Sequence, residues 1–269
     1  MEERHGSAPA DVTIEVCVTS LASARTAAAA GAHRLELCTA LPLGGLTPSV
    51  GLVGCVLEAV EIPVIVLIRP REGGFRYHDD EIAVARADIA RLSKVRSSRG
   101  NAVAGFAIGA LTDEGTLDTK AIARMIEAID PADTPAREWC LHRAFDHVRD
   151  PSGALEQAID LGLDRILTSG CAADVTAGLP TITACVERAA GRIEILPGGG
   201  VNAGNAAEIV RMSGVRSLHL SAARWVPEAM RFRREGISLG AGAAPDETRH
   251  LETDEERLRA LFATLAPDA

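Results

Sequence analysis

Lysine is almost missing from this chain. Lys94 and Lys120 are the only two, and both fall in predicted helical segments, which argues against lysine-nucleophile chemistry. Aromatic residues make up only 3% of the 269 residues, so the core has to be aliphatic, and a hydrophobic content of 47% supplies it. No apolar run approaches the ~18 residues that mark a membrane span, and no membrane partner is expected. Met1 to Asp11 is polar, without the apolar stretch of a secretory signal, and reads as a disordered tail. None of the six cysteines stands in a C-x-x-C pair, which removes the support for a zinc ribbon or a thioredoxin site. A cytoplasmic location is the resulting expectation. The net charge of −9 argues against a nucleic-acid partner, which would need a basic face. Walker A, nucleophile-elbow and dinucleotide fingerprints are all missing, so no organic cofactor is expected.

What is present is an alternation of strand and helix patterns. Strands are expected at Thr13–Val18, Arg34–Cys38, Pro63–Ile68, Val103–Ile108, Trp139–Phe145, Arg165–Thr168, Arg192–Leu196 and Ser217–Leu220. A helical stretch follows each, the second starting at Thr47-Pro48 and the last capped by a Thr253/Glu256 box. Alternation of this kind means a parallel sheet. Eight units in this length predict a closed (β/α)8 TIM barrel forming a single domain over residues 12–269, with an open doubly wound sheet as the fallback. The stretch from about 224 to 250 is rich in Gly and Arg, lacks periodicity, and is expected to be a mobile loop.

In such a barrel, working residues sit at the C-terminal strand ends and in the loops that follow. Assigning the apolar residues of each strand to the helix side leaves Glu15 and Cys17 on strand one, and Glu36 and Cys38 on strand two. Arg69 and Arg71 end strand three, and strand five leaves Cys140 and His142, with Arg143 and Asp146 at its end. Ser169 ends strand six, Glu194 remains on strand seven and His219 on strand eight. Unpaired buried carboxylates are costly, so the three glutamates need partners, for which Arg69, Arg71, His142 and His219 are candidates. These residues predict either a self-satisfied polar network or a ligand pocket.

Two motifs stand out. E-x-C occurs twice, as Glu15-Val16-Cys17 and Glu36-Leu37-Cys38. On adjacent strands ~4.8 Å apart, the two sulfurs could reach one ion, and a thiolate pair suits Cu(I). They could equally be two small buried hydrophobes, and the other four cysteines are assigned to the core. After strand seven comes Pro197-Gly198-Gly199-Gly200-Val201-Asn202, with Ser221-Ala222 after strand eight as a facing wall. Loops at these positions often hold phosphate in barrel enzymes, although a tight glycine turn needs no ligand.

The segments ELCTALPLGGLTPS, IRPREGGFRY, LHRAFD, ILTSG and ILPGGGVNAGNA, spread from Ile14 to Ala222, resemble the CutC family, named for copper homeostasis. The resemblance implies a TIM barrel, a cytoplasmic protein, and a homodimer or higher homo-oligomer. It also implies Cu(I) held by the cysteines of the C-V-x-S and E-L-C motifs, which are Cys17 and Cys38 here. The chain has Thr19 where many relatives carry Asp.

Two functions follow as expectations. One is a copper-homeostasis protein that binds Cu(I) through Cys17 and Cys38. The other is a lyase, aldolase or isomerase acting on a small anionic or phosphorylated metabolite. In that reading Gly198, Gly199, Gly200 and Asn202 hold the anion and Arg69, Arg71 and Arg143 orient it. Glu15, Asp146, Ser169 and His219 complete the pocket, and His142 with Glu36 or Glu194 moves protons.

Overall fold

The computed structural model describes residues 12–129, 137–232, 234, 236 and 246–266. The predicted tail, Met1 to Asp11, lies outside them. Eight parallel strands wrap into a nearly closed barrel: β1 (Thr13–Val18), β2 (Arg34–Leu37), β3 (Val64–Leu67), β4 (Gly105–Ile108), β5 (Glu138–Leu141), β6 (Arg165–Thr168), β7 (Glu194–Pro197) and β8 (Ser217–Leu220). Consecutive strands pair from β1 to β7, and β8 pairs with β1. Among the described residues no backbone ladder joins β7 to β8, so the barrel has one seam. The (β/α)8 expectation is borne out.

Eight helices surround the barrel: α1 (Leu21–Ala29), α2 (Val50–Ala59), α3 (Asp79–Leu92), α4 (Thr119–Ile126), α5 (Pro151–Asp160), α6 (Leu179–Ala189), α7 (Ala206–Ser213) and α8 (Glu255–Leu265). Several start where a side chain accepts an otherwise unpaired N–H of the first turn. Ser20, Asp118 and Asp254 do this for α1, α4 and α8. For α2 the cap is Ser49 rather than the expected Thr47, because the Thr47 hydroxyl accepts the Arg69 backbone N–H instead. For α8 it is Asp254 rather than Thr253, which is held in a strand.

Strand parity separates two apolar cores. Outward residues such as Val16, Leu35, Val66, Phe106 and Leu141 join the helices in the large cluster. Inward residues form a smaller cluster inside the barrel, including Cys17, Cys38, Leu67, Cys140 and Leu167. Cys140 and Cys185 are buried as expected, whereas Cys171 is partly exposed and Cys55 faces solvent on α2.

Two stretches differ from expectation. The fifth strand stops at Leu141, because the chain turns into a 3-10 helix over Arg143–His147 with the His142 ring accepting the Ala144 N–H. The stretch expected as a mobile loop is, at its two described ends, an antiparallel hairpin. There β9 (Ala223–Pro227) pairs with β10 (Arg249–Thr253), and part of the segment between them lies outside the described residues. No helix among the described residues is long and apolar enough to cross a membrane.

The loop after β6 packs through glycine. A Cβ on Gly178 would stand 1.8 Å from the Ser169 carbonyl oxygen, which is backbone and cannot move aside. Gly178→Ala is therefore expected to destabilise the fold by about 2 kcal/mol or more. Gly54 sits inside α2 with only ordinary contacts around its missing Cβ, and Gly54→Ala should stabilise by about 0.5–1 kcal/mol. Urea unfolding of both variants checks the pair.

Candidate functional site

The first residues of five strands meet at the N-terminal end of the barrel. Arg165 donates to Glu194 at 3.1 Å and to Glu138 at 2.9 Å. Glu194 also accepts from Ser217, and Arg34 reaches it at 3.8 Å. From there Arg34 donates upward to Glu15. The other Glu15 oxygen meets His219 Nδ1 at 2.8 Å, and His219 Nε2 lies 3.7 Å from Glu36. Seven alternately acidic and basic groups thus run from the barrel floor to the level of Glu36. Burial alone would raise the Glu15 carboxyl, but the hydrogen bond and charge of His219, with Arg34 behind them, hold it down at about 2. Burial works against a charged His219 too, yet the two carboxylates outweigh it and push its pKa up. Glu36 is raised, by burial first and then by Glu15 against the opposing pull of His219.

Above this chain, at the C-terminal strand ends, opens a pocket of about 290 Å³. Cys17 and Cys38 face each other at its base with 3.5 Å between sulfurs. Donor atoms of Cys17, Glu36 and His219 lie within 4.8 Å of one another, and all three residues are buried. Strand register explains the meeting. Cys17 is opposite Glu36 across β1–β2, and Glu15 is opposite His219 across β1–β8. The Cys17 thiol is pushed well up by its hydrogen bond with Cys38, by burial and by Glu36. Because Glu15 engages Nδ1, the His219 atom left facing the cluster is Nε2, the orientation that a carboxylate imposes on metal-binding histidines.

The pocket also brings together Arg69, His142, Arg143, Gly199 and Gly200, but not all in the roles expected. Arg69 spends its Nη atoms on the carbonyls of Leu43, Gly45 and Gly73, and so clamps the loops after β2 and β3. Arg71 does not line the pocket: it is held by Glu81 and by loop carbonyls, stacked over Tyr77. Glu194 is at the opposite end of the barrel and cannot share a proton transfer with His142, because it begins β7 while His142 follows β5. Asp146 accepts the N–H groups of Ser169 and Cys171 and anchors Arg143, fixing the loop after β6. Ser169 bonds Arg143, and Asn202 closes its own loop through Gly200 and Gly204. Gly198 packs below the rim, where a Cβ would strike Leu167.

The partners of the buried glutamates were among the residues that sequence reasoning missed. Of the four candidates only His219 serves, and Arg34 and Arg165 supply the rest. Arg34 shares the parity of Glu36, a signal available in the sequence. The walls Leu41 and Phe75 lie outside the barrel strands and carry no such signal, whereas Leu67 and Leu167 have inward parity but an apolar character that hides it.

A TIM barrel with thiol, imidazole and carboxylate donors converging at its C-terminal mouth defines the class of protein. The CutC family profile matches residues 12–224. The chain is 41% identical over 250 residues to the human protein named copper homeostasis protein cutC homolog, covering 93% of this chain and 88% of that one. It is 42% identical over 233 residues to the Vibrio cholerae family protein CutC, covering 87% and 88%. The crystal structure of CutC from Streptococcus agalactiae superposes with a TM-score of 0.70 at 33% identity, over 78% of this chain and 98% of that one. The chain belongs to the CutC family, as the sequence motifs implied.

The ion chain makes a prediction about stability. Glu15 sits at about 2 against an ordinary 4.5, so its contribution is present above pH 4.5 and is lost as pH falls towards 2. Glu15→Gln should cost about 3–5 kcal/mol at neutral pH by leaving Arg34 and His219 with only their longer contacts to Glu194 and Glu36. The variant should also lose stability less steeply below pH 4.5 than the wild type. Denaturant titrations at neutral and acid pH measure both effects.

Proposed function

We propose that this protein binds Cu(I) as its cargo through Cys17 and Cys38, as a copper-homeostasis protein of the CutC family. The observation that carries the reading is the 3.5 Å approach of two buried thiols at the base of an open pocket. Thiolates are soft ligands that select Cu(I). Nε2 of His219 and the Glu36 carboxylate stand beside Cys17 to complete or neutralise the site. No other group of three or more potential ligands clusters this way among the described residues. Acid/base catalysis by His142 and Glu36 is the second reading, and what favours it is that both line the same pocket.

Anaerobic Cu(I) titration against a competing chelator tests the first reading. The wild type should bind one ion. Cys17→Ser/Cys38→Ser should weaken binding by more than the ~10–100-fold expected for outer-shell partners. Binding indifferent to the double change would remove the copper reading.

The pH dependence has a defined sign. The Cys17 thiol is held protonated by Cys38, burial and Glu36, so copper has to displace its proton. Apparent affinity should therefore rise by about tenfold per pH unit for each proton released, measured by the same competition between about pH 6 and pH 8.

A further inference from the structure

The thiol pair occupies only the base of the pocket, and the rim has a different chemistry. Gly199 and Gly200 take φ of 96° and 95°, a backbone that L side chains rarely adopt. Among the described residues, the backbone N–H groups of Gly199, Gly200, Val201 and Ser221 donate to no protein acceptor. Neighbouring residues do: Gly198 N–H is taken by Thr168 and Asn202 N–H by Asn205. The four free donors sit on the loops after β7 and β8, on either side of the seam, and all line the pocket. Successive backbone N–H groups in such a turn form an anion-binding concavity.

Two side chains point to the same ligand. Arg143 is anchored through Nε to Asp146 at 2.7 Å and through Nη2 to Ser169 at 2.9 Å, leaving Nη1 uncommitted. Its guanidinium lies 3.3 Å from where a Gly199 Cβ would be. His142 is 3% exposed and its Nδ1 accepts the Ala144 N–H, which places the ring proton on Nε2. That Nε2–H is buried without a partner in a side chain that lines the pocket. A buried donor left unpaired is costly, and an acceptor on a bound molecule would relieve it.

We infer that the pocket rim is a binding site for a small phosphate monoester, the phosphate seated on the free N–H groups of Gly199, Gly200, Val201 and Ser221 beside Arg143, the body of the molecule reaching down to His142. A volume of about 290 Å³ exceeds the needs of an isolated oxyanion and suits a molecule of a few carbons. The site is independent of the thiol pair, since none of its donors is a copper ligand in the reading above.

The test is amide NMR of the full chain, titrated separately with inorganic phosphate and with glycerol 3-phosphate. Saturable shifts are expected at the amides of Gly199, Gly200, Val201 and Ser221. Arg143→Ala should weaken binding by about tenfold or more, through loss of a charge-assisted donor. His142→Asn can still accept the Ala144 N–H but has no Nε2–H, and it should weaken the ester while leaving inorganic phosphate unchanged. Cys17→Ser/Cys38→Ser should bind both anions as the wild type does, so failure of the copper site and failure of this site are separately visible. An ester tighter than phosphate assigns a phosphorylated metabolite, and equal affinities assign free phosphate to the same donors. No saturable shift at the four amides, or binding that Arg143→Ala leaves unchanged, overturns the inference.

Discussion

Charge buried inside a parallel barrel has to be neutralised there, and the rest of this structure is arranged around that need. The chain Glu138–Arg165–Glu194–Arg34–Glu15–His219–Glu36 meets it by alternating acidic and basic side chains. Strand register supplies the alternation, with Glu15 opposite both Arg34 and His219, and Arg165 opposite Glu194. Removing a member leaves its neighbours buried with part of their compensation gone, which can be worse than never having buried them. The chain also fixes His219, and through it the geometry beside Cys17. Floor stability and pocket chemistry are therefore parts of one electrostatic object.

Much of this was legible in the sequence. Alternating apolar and polar positions give strand parity, and parity identifies the inward residues Glu15, Cys17, Glu36, Cys38, His142 and His219. Parity does not give height along the barrel axis. Glu194 and Glu36 look alike in sequence, yet one begins its strand at the floor and the other stands at the pocket base. Nor does sequence say which loop carbonyls an arginine will satisfy. Arg69 and Arg71 follow the same strand, and both are consumed by loop closure. The helix starts slipped by one or two residues for a related reason: Thr47 and Thr253 are fit to cap but are engaged elsewhere.

Potential metal ligands and N–H donors are segregated within one small cavity. Sulfur, imidazole and the Glu36 carboxylate occupy the base, while peptide N–H groups and a guanidinium occupy the rim. The segregation follows from backbone geometry. Strand interiors can offer only side chains, because their peptide groups are committed to ladders, whereas the loops beyond the strands are free to turn their N–H groups inward.

The seam between β7 and β8 has a kinetic meaning. There the barrel is held by side chains, including the Ser217–Glu194 bond, and not by a peptide ladder. Backbone hydrogen bonds resist local opening, and this side of the barrel has the fewest of them between neighbouring strands. Both loops that form the rim of the pocket rise from the two edges of that seam. The two strands that border the gap in the ladder are thus the same two that carry the rim of the pocket.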